Sequence, residues 1–273
     1  MIPVYIDGIG VLGPGLPGWM ASRSILTGRE LYTLSPVPGL HAELLPVTER
    51  RRCPLSARWA LTVAKEALDR GGAAGDGVIT VFTSSEGDGA ILQAMLTALA
   101  APDPYLSPTT FHNSVHNTAA GYLGIATHSR QASTSLCAFD HSFAAGFMEA
   151  AASVQVDRYP VLLVAYDLPL PYPLYPFHPY DYGFAVALLL MPERSARSLV
   201  RCRIGLCQGR CPSPFPAFAP AGLWANPVAH CLPLLAAVAR GETCVVRLGY
   251  GYNDIQVECQ PFVRSEGCVS FGS

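Results

Sequence analysis

The sequence predicts an α/β fold with a mainly parallel sheet covered on both faces, and three observations carry that expectation. Two stretches, "PVLLVAY" at 160–166 and "GFAVALLLM" at 183–191, are apolar without a break, as strands buried on both faces are. Segments with apolar residues at helical spacing alternate with such runs. Half of the 273 residues are hydrophobic and only 14% are charged, enough apolar mass for one large domain or two small ones.

The elements follow in order. Residues 2–7 ("IPVYID") read as a strand closed by glycines, and "PGWMASRSILTGRELY" as a short amphipathic helix behind it. Gly8, Gly10 and Gly13 spell GxGxxG, but a dinucleotide site needs a helix opening on the third glycine. Pro14, Gly15, Leu16 and Pro17 follow instead, so a tight strand-to-loop turn is the better reading. Residues 54–70 carry a helical pattern that stops at Gly71-Gly72. A strand at 77–85, a glycine-rich turn and a helix at 91–100 come next. Residues 114–127 read as helix, 133–139 as strand, 142–156 as helix. The stretch at 168–182 ("LPLPYPLYPFHPYDY") is too rich in proline for regular structure; it is either a loop packed by its own rings or a rim contacting a partner. After 190 the pattern weakens: a loop or linker at 207–222, one helix at 228–241 and a final pair of strands. The tail "RSEGCVSFGS" has no usable pattern.

Composition narrows the function. The formal charge is −2 with no basic run, so the footprint for a nucleic-acid backbone is missing. No apolar run reaches the length of a membrane span, the N-terminus lacks a signal-peptide pattern, and nine cysteines without an export signal suggest reduced thiols in a cytoplasmic protein. Cys202, Cys207 and Cys211 have no metal-ligand spacing, and His112 and His116, at i and i+4, lack a third ligand. No cofactor and no metal is expected. High hydrophobicity with little charge points to a partner subunit covering part of the surface.

Several motifs together resemble the β-ketoacyl synthases of the thiolase-like fold. "VYIDGIGVLGPG", a Trp and "LTG" are similar to their opening strand, GxG turn and helix. In "SPTTFHNSVHNTAAGYLGIATHSR" at 107–130, Ser107, Pro108, Asn117, Ala120, Gly121, Ile125 and Arg130 fall in the register of the segment before their active-site cysteine. "DYGFAVALLLMPE" resembles their Gly-Ala-Gly strand. The resemblance spans 1–193 and implies a layered α/β fold whose N-terminal half is retained and whose C-terminal half is strongly shortened. The domains expected are 1–195, ketosynthase-like; 196–263, a linker, helix and strand pair; and 264–273, a tail.

The resemblance also addresses the stretch "STSLCAFDHSFAAGF" at 133–147. In those synthases the nucleophilic cysteine sits nineteen residues after the glycine matched by Gly121 and twenty-one before the strand position of Val161. Both counts end on Asp140, three residues past Cys137. A helix opens just behind, where amides and dipole would favour a thiolate. Aspartate there is expected to cap the helix by accepting from Ser142 or Phe143, and it is a poor acyl acceptor. Cys137 is read as a small core residue, with a reactive thiol as the alternative. The two histidines that condensing synthases carry in the C-terminal half are not recognisable, although Gly249, Tyr250, Gly251 and Asn253 echo the accompanying turn. None of histidines 41, 112, 116, 128, 141, 178 and 230 has the family's context.

A ketosynthase-like subunit without nucleophile resembles the chain length factors of type II polyketide systems, in truncated form those of aryl polyene and xanthomonadin-type clusters. The resemblance implies no catalytic activity alone, a catalytic ketosynthase as heterodimer partner, and an acyl carrier protein bearing the growing chain in polyketide or fatty acid biosynthesis. Catalytic residues are then none; Thr110, Phe111, Val115, His116 and Asn117 would face the acyl tunnel and dimer seam. Two alternatives remain open: a scaffold that stabilises the ketosynthase or docks the carrier protein without setting length, and a malonyl-carrier-protein decarboxylase or acyl enzyme using Cys137.

Overall fold

The computed structural model describes residues 1–40 and 42–262; His41, the last residue of the expected 196–263 region and the tail at 264–273 lie outside the described residues. In chain order the elements are β1 (Ile2–Leu12), α1 (Trp19–Leu26), α2 (Val47–Arg52), α3 (Leu55–Gly71), β2 (Ile79–Thr83), α4 (Gly89–Leu99), α5 (Pro108–His112), α6 (Thr118–Thr127) and β3 (Ser133–Leu136). There follow α7 (Ser142–Asp157), β4 (Val161–Asp167), β5 (Phe184–Met191), β6 (Val200–Cys207), α8 (Ala221–Trp224), α9 (Leu232–Arg240), β7 (Cys244–Tyr250) and β8 (Asn253–Pro261).

All eight strands form one sheet in the order β3-β2-β4-β5-β1-β6-β8-β7. Helices cover both faces. One apolar layer lies under α3 and α6 and includes Trp59, Val63, Ala67 and Tyr122. The other lies under α1, α7 and α9 and includes Phe143, Phe147, Leu234 and Leu235. The layered α/β class is as expected, but the strand directions are not. Only β2–β3 and β2–β4 are parallel, and the five pairs from β4–β5 to β7–β8 are antiparallel. A strand buried on both faces reads as an unbroken apolar run in either direction, so the runs in β4 and β5 carried no directional information.

Two further differences follow from local packing. The glycine-rich start is not a turn: β1 runs through Gly8 and Gly10 to Leu12, and the chain reverses at Gly13–Leu16. A Cβ at Gly8 would lie 1.9 Å from the Ala67 carbonyl oxygen, and one at Gly10 2.1 Å from that of Val63. These glycines let α3 lie directly on the strand, the role glycine has where two backbones approach closely. The second difference is β6, which the weak pattern after 190 concealed. It alternates buried Val200, Cys202 and Ile204 with arginines at 201 and 203, and it joins the final hairpin to β1. Residues after 195 thus extend the same sheet by three strands.

Among the described residues no helix is long and apolar enough to cross a membrane.

Candidate functional site

The C-terminal ends of the parallel strands converge, the usual place for a site in such a sheet. Ser84, Ser85 and Glu86 follow β2; Cys137 and Asp140 follow β3; Asp167 closes β4. Asp167 is fully buried, and its Oδ1 accepts from Ser84 Oγ at 2.6 Å and the Ser85 amide at 2.9 Å. Burial pushes its carboxyl up to about 7 against those two hydrogen bonds, with the Glu86 charge adding to the rise. Asn226, also buried, fixes the strand end by donating to the Asp167 and Tyr182 carbonyls at 3.1 and 2.9 Å.

Above this floor the proline-rich loop 168–182 folds back and delivers His178. Its Nδ1 lies 2.6 Å from Glu86 Oε1 and its Nε2 3.0 Å from Asp140 Oδ1, so one imidazole bridges two carboxylates. Phe139 stacks on that ring at 4.5 Å, and Tyr180 meets it edge-on at 5.3 Å. Tyr180 itself donates to the Leu168 carbonyl at 2.7 Å, and burial drives its phenol well above the ordinary range. Phe139 holds a left-handed backbone with φ 50°, an uncommon conformation for a bulky residue that turns its ring onto the histidine. The loop is therefore ordered by its own rings and by His178, while Tyr172 and Phe177 remain largely exposed.

The capping role expected for Asp140 is corrected. Residues 139–141 form a 3-10 turn before α7, the cap position falls on His141, and no side chain caps the helix. Ser142 Oγ instead braces the turn, accepting from the Ala138 amide and donating to the Phe139 carbonyl. The extra turn moves the Asp140 carboxylate away from the helix amides and towards His178. Cys137 is exposed rather than in the core, and its thiol donates to the Ser85 carbonyl at 2.9 Å, not to an imidazole. Two more histidines border this place. His230 Nε2 lies 3.2 Å from the Trp224 carbonyl oxygen and beside the Asp140 backbone, and burial lowers its ring. His141 approaches Gly249 of the final hairpin, the turn singled out by its glycines.

Both ring nitrogens of His178 face carboxylates, and among the described residues no hydroxyl or thiol is hydrogen-bonded to the imidazole. Sequence reasoning missed Glu86, Asp167, His178 and His230. His178 comes from the proline-rich loop and His230 from a short 3-10 turn at the start of the helix expected at 228–241, so only the fold brings them to Asp140.

The five residues expected at the seam fall on α5 and the turn into α6. Thr110 is half-buried; Phe111 and Val115 are 61% and 52% exposed. His116 Nε2 lies 3.1 Å from the Leu136 carbonyl oxygen, tying this turn to β3, and Asn117 is exposed at the start of α6. Asn113 anchors the turn from beneath, donating to the Arg52 carbonyl and accepting from Tyr122. Because α5 ends at His112, His112 and His116 do not share a helix face. Around these residues Leu92, Leu96, Leu99, Tyr105 and Ile125 expose apolar surface. Among the described residues the adjoining edge strand β3 is paired only with β2. A separate cavity of about 450 Å³ opens between the starts of α3 and α4 and the loop, walled by Trp59, Ile91, Leu168 and Pro169; none of the five seam residues lines it.

A layered sheet with this strand order, flanked on both faces by helices, is the thiolase-like fold of ketosynthases. Residues 30–208 match the family described as "Beta-ketoacyl synthase, N-terminal domain", and the chain belongs to that family. Among solved structures, it is similar to a chain of the ketosynthase (ApeO) in complex with its chain length factor (ApeC) from Xenorhabdus doucetiae. The TM-score is 0.73 at 21% identity, over 94% of this chain and 100% of that one. It is also similar to a chain of AntDE:AntF, a type II PKS acyl-carrier protein in complex with its ketosynthase (0.74, 12%, 96% and 99%). A third is the ishigamide ketosynthase/chain length factor (0.68, 12%, 97% and 100%). No curated protein matches the chain.

Proposed function

We propose that this chain is a non-catalytic chain length factor that pairs with a catalytic ketosynthase and closes the tunnel into which the partner's acyl chain grows. The observation that carries the reading is the state of the nucleophile position. Asp140 occupies it, His178 holds that carboxylate, and the nearest thiol, Cys137, is turned to a backbone carbonyl. A carboxylate so placed is no acyl acceptor, and the imidazole has no nucleophile to activate.

The pairing is supported by surface that a lone chain would leave wet. The outer edge of β3, which pairs with β2 on its inner side, lies beside exposed Phe111, Val115, Leu96 and Ile125 and offers both backbone pairing and apolar burial to a second chain. Thr110, Phe111, Val115, His116 and Asn117 belong to that face and would line the seam. The same role makes an acyl carrier protein with its polyene or other acyl chain the second partner, in a cytoplasmic complex of aryl polyene-like biosynthesis. The fold's likeness to chains of ketosynthase/chain length factor complexes fits this assignment.

The test is co-expression with candidate ketosynthases, size-exclusion chromatography, and mass spectrometry after exposure to acyl-carrier thioester. A 1:1 complex acylated only on the partner supports the proposal. A stable monomer or homodimer acylated at Cys137 overturns it in favour of an enzyme, and a complex whose product length ignores seam substitutions reduces the chain to a scaffold.

A further inference from the structure

Three of the cysteines have no part in the site above. Cys202 on β6, Cys259 on β8 and Cys244 on β7 are direct cross-strand partners, Cys202 with Cys259 and Cys259 with Cys244. All three face the inner side of the sheet, and all are reduced. They form a row of thiols across three adjacent strands.

The spacing suits disulfide formation. The β7–β8 hairpin closes with the two-residue turn Gly251–Tyr252 between paired Tyr250 and Asn253, and its register runs back without a shift to Cys244 and Cys259. Counting the alternation from that turn makes Cys244–Cys259 a hydrogen-bonded pair, with Cα atoms about 5.5 Å apart. On the other side of β8, Cys259–Cys202 is then the closer, non-hydrogen-bonded pair at about 4.5 Å. Both fall inside the range of roughly 4.4–6.8 Å that a disulfide spans. The sulfurs are already within hydrogen-bonding reach, Cys259 between its two neighbours. The hydrogen bond to Cys259, together with burial, keeps the Cys202 thiol well above its ordinary value. A metal is the poorer occupant: sulfurs in a row do not converge on a point, and no group of three candidate ligands among the described residues is placed to hold an ion.

Access is graded along the row. Cys202 and Cys259 are buried, whereas Cys244, on the edge strand β7, is half-buried and the most accessible of the three; burial raises its thiol, and the Arg240 charge beside it opposes that rise. We propose that these three cysteines form a peroxide-oxidisable thiol relay, in which Cys244 is the entry point and Cys259 the resolving partner.

The steps balance. The Cys244 sulfur attacks hydrogen peroxide, breaking its O–O bond, taking one oxygen to become a sulfenic acid and releasing water. The Cys259 thiol then attacks the Cys244 sulfur, forming the S–S bond and expelling a second water. In the last step the Cys202 sulfur attacks the Cys259 sulfur and gives up its proton to the departing Cys244 sulfur, so that the Cys244–Cys259 bond breaks, the Cys202–Cys259 disulfide forms and Cys244 returns as a thiol. Two electrons in total pass from the cysteines to the peroxide.

The experiment treats the purified full chain with hydrogen peroxide, blocks free thiols by alkylation, and maps pepsin peptides by mass spectrometry under non-reducing conditions. The expected result is a dithiothreitol-sensitive link of Cys259 to Cys244 or Cys202. In Cys244→Ser the Cys202–Cys259 link is expected to be lost at the same exposure, because neither remaining sulfur meets solvent. That substitution removes only the half-buried member of the row and leaves the buried Cys202 and Cys259 in place. The proposal is overturned if Cys244 and Cys259 stay alkylatable while exposed Cys137 and Cys211 are oxidised, or if Cys244→Ser links Cys202 to Cys259 as fast as the parent.

Discussion

Replacing Glu86 by alanine is expected to destabilise the fold by about 2 kcal/mol, and replacing Asp140 by about 0.5 kcal/mol, although both carboxylates bond the same imidazole. The difference comes from solvent. Glu86 and His178 are 18% and 12% exposed and meet at 2.6 Å, so their bond is short, shielded and charge-assisted. The Asp140 side chain is 47% exposed at 3.0 Å, and water takes its place at small cost. His178→Ala removes both bonds and the Phe139 stack, and should cost the most. Urea unfolding of the single and double variants measures each quantity. If Asp140 acts through His178, Asp140→Ala in the His178→Ala background should cost nothing further, and protease cleavage within 168–182 should rise in His178→Ala. An Asp140→Ala cost that persists undiminished in the His178→Ala background would refute the bridge and restore the helix-capping role.

Gly10→Ala should cost about 3 kcal/mol, read as a lower urea midpoint, because its Cβ would sit 2.1 Å from the Val63 carbonyl oxygen and drive α3 off the sheet; an unchanged midpoint would contradict the close approach. Asp167 is held protonated in the fold up to about pH 7, while the unfolded chain loses that proton near its ordinary value, so stability should fall as pH rises from about 4 to 7. Asp167→Asn should flatten that slope in urea midpoints taken at pH 5 and pH 8. Phe111→Asp, at a position 61% exposed, should leave the unfolding curve of the lone chain unchanged yet abolish co-elution with a ketosynthase. Thr110→Phe should shorten the product of the complex, measured by mass spectrometry; unchanged length would remove Thr110 from the tunnel.

The sequence by itself determined the layered α/β class and most element positions, and it singled out the strand-to-helix turn at Asp140 around which the proposal is built. Apolar periodicity and turn residues are local signals, and both counts to Asp140 run along the chain without a gap. It did not determine strand direction, because β4 and β5 are buried on both faces and bear the same apolar signature either way. Nor did it reveal that Gly8 and Gly10 serve α3 rather than a turn, since the residues they accommodate are more than fifty positions away. The surroundings of Asp140 were decided by tertiary structure alone. His178 lies in a loop with no periodic pattern, His230 beyond a linker, and Glu86 on another strand end. The thiol row is of the same kind: Cys202, Cys244 and Cys259 are scattered in sequence, and only the pairing of three strands makes them neighbours.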